Sequence, residues 1–132
     1  MAGDPTAFER AWSLRVDDYD ASIAAHYLAR VQPDARSTLE WNKRALSHAR
    51  RCPPEQVRGF MPSLHLNLGK SYEDVGDLAR AAASYRAAEA CLDALDDDGY
   101  GALVRRGVAR RSEFERDAAR GDADRAARGT AT

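Results

Sequence analysis

The chain has 132 residues and a formal net charge of -1, from 20 basic and 21 acidic side chains. That is the length of one domain, and the charge makes no electrostatic case for a nucleic-acid or membrane partner. No apolar run reaches bilayer-spanning length, Met1-Ala2-Gly3-Asp4-Pro5 lacks the basic and apolar regions of a secretory leader, and Cys52 and Cys91 show no paired spacing, so a cytoplasmic protein with inert thiols is expected.

Alanine, arginine, leucine and the two acids dominate, a helix-forming composition. Residues 6–14 form a first expected helix with Phe8, Trp12 and Leu14 inward, opened by Pro5. A second spans 17–31, where Ile23, Tyr27, Leu28 and Val31 recur at helical spacing, and Pro33 ends it. Asp34 or Ser37 caps a third helix that runs to about Arg51, with Leu39, Asn42, Leu46 and Ala49 on one stripe. Cys52-Pro53-Pro54 breaks it, and a fourth covers 55–75, with Pro62 kinking or restarting it.

Gly76 suits the left-handed residue that closes a helix, and Asp77 the N-cap of a fifth helix over 78–95. Asp96-Asp97-Asp98-Gly99-Tyr100-Gly101 is rich in turn formers. A sixth helix covers about 102–119, with Leu103, Val104, Val108 and Phe114 set among arginines. Residues 121–132 offer nothing to bury and read as a disordered tail behind one helical domain over 1–120. The expected fold is all-α, about six helices in compact antiparallel hairpins.

Within 63–90 the residues Leu68-Gly69-x-x-Tyr72, then Gly76-Asp77, then Ala81, Tyr85 and Ala88 resemble the tetratricopeptide repeat pattern. Small residues let two helices approach, aromatics fill the space between them, and Gly-Asp makes the turn. His65 stands where the family often has tryptophan, and the proline near the repeat end is missing. A degenerate earlier copy pairs 23–31 with 39–49, about 43 residues upstream against a usual spacing of about 34, so 52–61 reads as an insertion. The chain is similar to short tetratricopeptide proteins of GC-rich bacteria, a likeness that its arginine and alanine bias accompanies: Lys43 and Lys70 are the only lysines. The resemblance implies a right-handed α–α superhelix whose first helices line a groove for short peptides.

Ser63, Asn67, Lys70 and Asp74 form a polar stripe at i, i+4, i+7 and i+11. It is either a solvated face or a groove wall, with Asn67 meeting peptide backbone and Lys70 a carboxylate. Arg105, Arg106, Arg110 and Arg111 either grip a carboxylate or phosphate beside Lys70 or pair with Glu113, Glu115 and Asp117. Arg30 joins this set of binding candidates. The first expectation is therefore a non-catalytic module for a short peptide or protein partner, an acidic one suiting these cations, with no cofactor.

The alternative is a small-molecule pocket or unusual enzyme around Tyr27, Arg30, Trp41, Asn42 and His65. There His26 or His65 acts as general base, Arg30 or Arg58 holds an anion, and Glu73 reaches towards His26. Neither a nucleophile motif, a phosphate loop nor a metal-ligand pair accompanies the three histidines, and His65 holds a packing position. Phe60 and Met61 beside Pro62 either seat the chain on the first hairpin or form a pocket mouth. A buried Asn42 is expected to tie down an adjacent loop. Self-association through spare helix faces, giving a homodimer, is the third expectation.

Overall fold

The computed structural model describes residues 6–7, 9–10 and 17–130. Among these it is all-helical, without strand. The order is α1 (Asp18–Ala29), α2 (Ala35–Ala49), α3 (Pro54–Val57), α4 (Met61–Asp74), α5 (Leu78–Ala90), a 3₁₀ turn (Leu92–Ala94) and α6 (Gly99–Thr130). The expected inward residues Phe8, Trp12 and Leu14 lie outside the described residues.

The helix starts follow from side chains that satisfy free backbone N–H groups. Asp17 accepts from the Asp20 amide at 2.8 Å, Asp34 from Ser37 at 2.7 Å and Asp77 from Arg80 at 3.1 Å. Of the two expected caps for α2, Asp34 is the one used. Pro62 restarts the chain: α3 is a single turn, and α4 begins with proline in its first turn, where no N–H is needed.

Gly76 adopts φ 83°, and the Asp77 amide reaches back to the Tyr72 carbonyl at 2.9 Å. This is the glycine closure the sequence predicts. At its C-terminal end α5 is shorter than expected, since residues 92–94 tighten into the 3₁₀ turn. α6 departs most from expectation: it continues through 121, where a disordered tail is expected, to Thr130. Alanine and arginine have high helix propensity and need no core to continue a helix.

α1 packs on α2, α2 on α4, α4 on α5, and α5 on α6, while α4 also meets α6. Two cores result. One joins Ala25, Leu39, Ala45 and Leu46 to Leu64 and Leu68, with Trp41, Phe60 and Met61 packed on it. The other joins Leu66, Ala81, Tyr85 and Ala88 to Val104 and Val108. Tyr72 touches both, so α4 is the shared wall.

Gly69 is the closest approach between α4 and α5: a Cβ there would overlap the Tyr85 ring. Tyr85 is 1 % exposed, a burial worth on the order of 2–3 kcal/mol. Its hydroxyl donates to Glu73, which also receives Arg111 at 3.0 Å. Three helices meet at that one carboxylate. No described helix is long and apolar enough to cross a membrane.

Candidate functional site

The first expectation placed its residues on separate helices, and packing brings them together. A groove of about 680 Å³, the size of a typical ligand cleft, runs across α1, α2, α4 and α6. α1 contributes His26, Ala29 and Arg30, and α2 contributes Thr38 and Asn42. α4 supplies Ser63, Leu66, Asn67, Lys70, Ser71 and Asp74 as the floor. α6 closes the wall with Tyr100, Leu103, Val104, Arg106, Gly107 and Arg110. Ser63, Asn67, Lys70, Arg30, Arg106 and Arg110 thus all line one concavity.

The groove is cationic. Arg30, Lys70, Arg106 and Arg110 face a single carboxylate, Asp74. Among the described residues none of the four forms an ion pair, and Asp74, one turn beyond Lys70, does not close on it within 4.0 Å. Lys70 is pushed below the ordinary lysine value by burial and by Arg111 and Arg110, with Glu73 acting the other way. Of its expected surface partners, Glu113 is exposed and pairs with neither Arg106 nor Arg110. The side chains of Glu115 and Asp117 lie outside those described.

Two members of the arginine cluster serve the fold. Arg111 holds Glu73. Arg105 donates to the Leu95 carbonyl at 2.9 Å and to those of Leu92 and Asp96, tying the preceding turn to α6. The register that separates Arg106 and Arg110 from Arg105 and Arg111 is visible in the sequence. Which pair faces the groove depends on where Val104 and Val108 bury.

The groove also has members that the stripe did not reveal. Tyr100 pairs with Ser63 across the α4–α6 junction. Leu103, 61 % exposed, gives the wall an apolar shelf one turn before Arg106. Asn42 binds no loop: its Nδ2 donates to Ser71 Oγ at 2.7 Å, joining α2 to α4. The expected loop partner is therefore replaced by a helix, because the stripe of α2 that carries Asn42 packs directly on α4.

The alternative pocket does not assemble. His26, Arg30 and Asn42 line the groove, but Tyr27, Trp41, Arg58, His65 and Glu73 do not. Tyr27 is exposed, with the Arg30 guanidinium 5.9 Å from its ring centroid. Trp41 packs on the first core under Arg44, 4.4 Å from its centroid. Glu73 does not reach His26, being held by Tyr85 and Arg111.

His65 is buried, 8 % exposed, and its pKa is lowered by that burial and by Arg50. His26 contacts the Phe60 ring edge-on at 5.3 Å, which settles Phe60 as a seat for α1 and not a pocket mouth. Its Nδ1 is buried without a hydrogen-bond partner, and burial followed by Arg30 lowers its pKa. Among the described residues neither imidazole pairs with a carboxylate. The third, His48, binds Asp18 at 2.8 Å. No group of three or more His, Cys, Asp or Glu among the described residues is placed to hold a metal ion.

A second cavity of about 390 Å³ shares no residue with the groove. Val57, Met61 and Ala90 form its apolar walls, both cysteines border it, and Arg58 stands at it instead of at the groove. Burial raises both thiols, aided at Cys52 by Asp18 and Asp17, so neither is an activated thiolate. The chain matches no family model, no curated protein and no solved structure in these comparisons.

Proposed function

We propose that the chain is a non-catalytic interaction module of tetratricopeptide type, which binds a short acidic peptide or protein segment in the α1–α4–α6 groove. The observation that supports this reading is that Arg30, Lys70, Arg106 and Arg110, none in an ion pair among the described residues, line one concave surface together with Asn67. Charged side chains left without partners are ready to take them from a ligand. The apolar shelf of Leu66, Leu103 and Val104 adds contact area beside them. About six residues of extended chain reach roughly 20 Å, a ligand length suited to a groove of about 680 Å³.

The test is fluorescence anisotropy with labelled hexapeptide pools that are acidic, neutral or basic. The acidic pool is expected to bind, and Lys70→Ala or Arg106→Ala to weaken it about ten-fold or more, with helical circular dichroism unchanged. Binding indifferent to both substitutions, or equal for the three pools, removes the groove from consideration.

A further inference from the structure

The cations of the groove are unevenly distributed. Arg30 stands alone on α1, where it leans on Tyr27, whereas Lys70, Arg106 and Arg110 gather where α4 faces α6. Glu73 stands three residues after Lys70. It is withdrawn: Tyr85 and Arg111 hold it, and it does not line the groove. The fold thus uses Glu73 to join α4, α5 and α6, and Asp74 remains the single carboxylate lining the cleft with these three cations.

Resting on the peptide reading above, we propose that this α4–α6 end of the groove binds a phosphorylated side chain of the peptide, with Lys70, Arg106 and Arg110 around the phosphoryl group and Leu103 under a neighbouring apolar residue. A carboxylate brings one charge and two acceptor oxygens. A phosphoserine brings about -1.5 to -2 charge at neutral pH and three acceptor oxygens. Three cations that form no ion pair among the described residues match the second ligand in both charge and donor number. Arg106 and Arg110 lie at i, i+4 on α6, so two guanidinium forks project along one face. Lys70 adds a point charge from the α4 floor, and Asn67, one turn before it, adds an amide donor. Burial first, then Arg111 and Arg110, lower the pKa of Lys70, and Glu73 opposes them without reversing the shift.

Three hexapeptide libraries with degenerate flanks, fixed at one position as phosphoserine, glutamate or serine, are passed over the immobilised full chain. The phosphoserine library is expected to be retained about ten-fold more strongly than the glutamate library. Lys70→Ala and Arg110→Ala should bring the two towards parity. Lys70→Arg should keep the preference, and the exposed Lys43→Ala, which removes the same charge outside the groove, should leave it intact.

Equal retention of the phosphoserine and glutamate libraries, both lost in Lys70→Ala, overturns the phosphoryl assignment while leaving the acidic-peptide groove standing. Retention of none of the three overturns both. Inorganic phosphate is the competitor that separates the sources: it should displace the best phosphopeptide only at concentrations about a hundred-fold above that peptide's own Kd. Displacement at equal concentration overturns the peptide as the carrier of the group. Thermal melts followed by circular dichroism confirm that each variant remains folded.

Discussion

The α1–α2 hairpin and the α4–α5 hairpin solve the same problem with different residues. Both bring two helices into close contact. The first uses small residues on both sides: Ala21, Ala25 and Ala29 with Ala45 and Ala49, closed by the Ser22 hydroxyl donating to the Ala45 carbonyl at 2.8 Å. The second sets a glycine against a large ring, with Tyr85 seated over Gly69. Small-on-small packing tolerates exchange, because alanine, serine and glycine differ by one or two heavy atoms. A ring fitted to a bare Cα does not.

That difference is open to attack, and the most damaging substitution is Gly69→Ala. The new methyl overlaps the Tyr85 ring, and Tyr85 is walled in by Ala81, Ala88 and Val108. A loss of about 3 kcal/mol is expected, read from urea unfolding midpoints. Trimming the ring in Gly69→Ala/Tyr85→Leu should recover part of it. Full additivity of the two would show that the hairpins do not differ in this way.

Asn42→Ala acts between the hairpins and ranks next. It deletes the α2–α4 hydrogen bond and leaves the buried Ser71 hydroxyl without that partner, at about 2 kcal/mol. Pairing it with Ser71→Ala should cost less than the sum of the single changes, which a double-mutant cycle measures. Ser22→Ala tests the first hairpin alone. Its neighbours are already small, so the expected loss is only that of one hydrogen bond, about 1 kcal/mol.

The smallest effect is on pH dependence. His26 and His65 have folded-state values lowered from 6.5, chiefly by burial, so the unfolded chain binds more protons. Their contribution is full above the unfolded value and is lost as the pH falls through it towards the folded values. Urea midpoints should fall between pH 8 and pH 5. His26→Gln and His65→Gln should each flatten that slope. A slope unchanged in both variants would show that these two imidazoles do not carry it.

The same contrast explains what the sequence disclosed. Gly69, Gly76-Asp77 and Tyr85 are legible because a close approach and a left-handed turn admit few residue types. The polar stripe Ser63–Asn67–Lys70 is legible from spacing alone. The first hairpin is not: Ser22 and Ala45 look like any two small residues until their helices touch. The alternative pocket failed for a related reason. Helical spacing says which residues share a face, but not which helix lies opposite. Glu73 was expected to reach His26, yet Arg111, from 38 residues further on, holds it. The length of α6 was hidden because its distal residues have helix propensity without apolar periodicity.

α4 has a consequence for how such a domain can diverge. Of its fourteen residues, eight are buried, and those face two cores and the groove floor. Little of this helix can drift without cost. α1 and α6 each bury one side and present the groove-facing Arg30, Arg106 and Arg110 as exposed side chains. New ligand preferences are therefore most accessible through the two flanking walls, while the floor stays constant: a fixed frame with interchangeable sides.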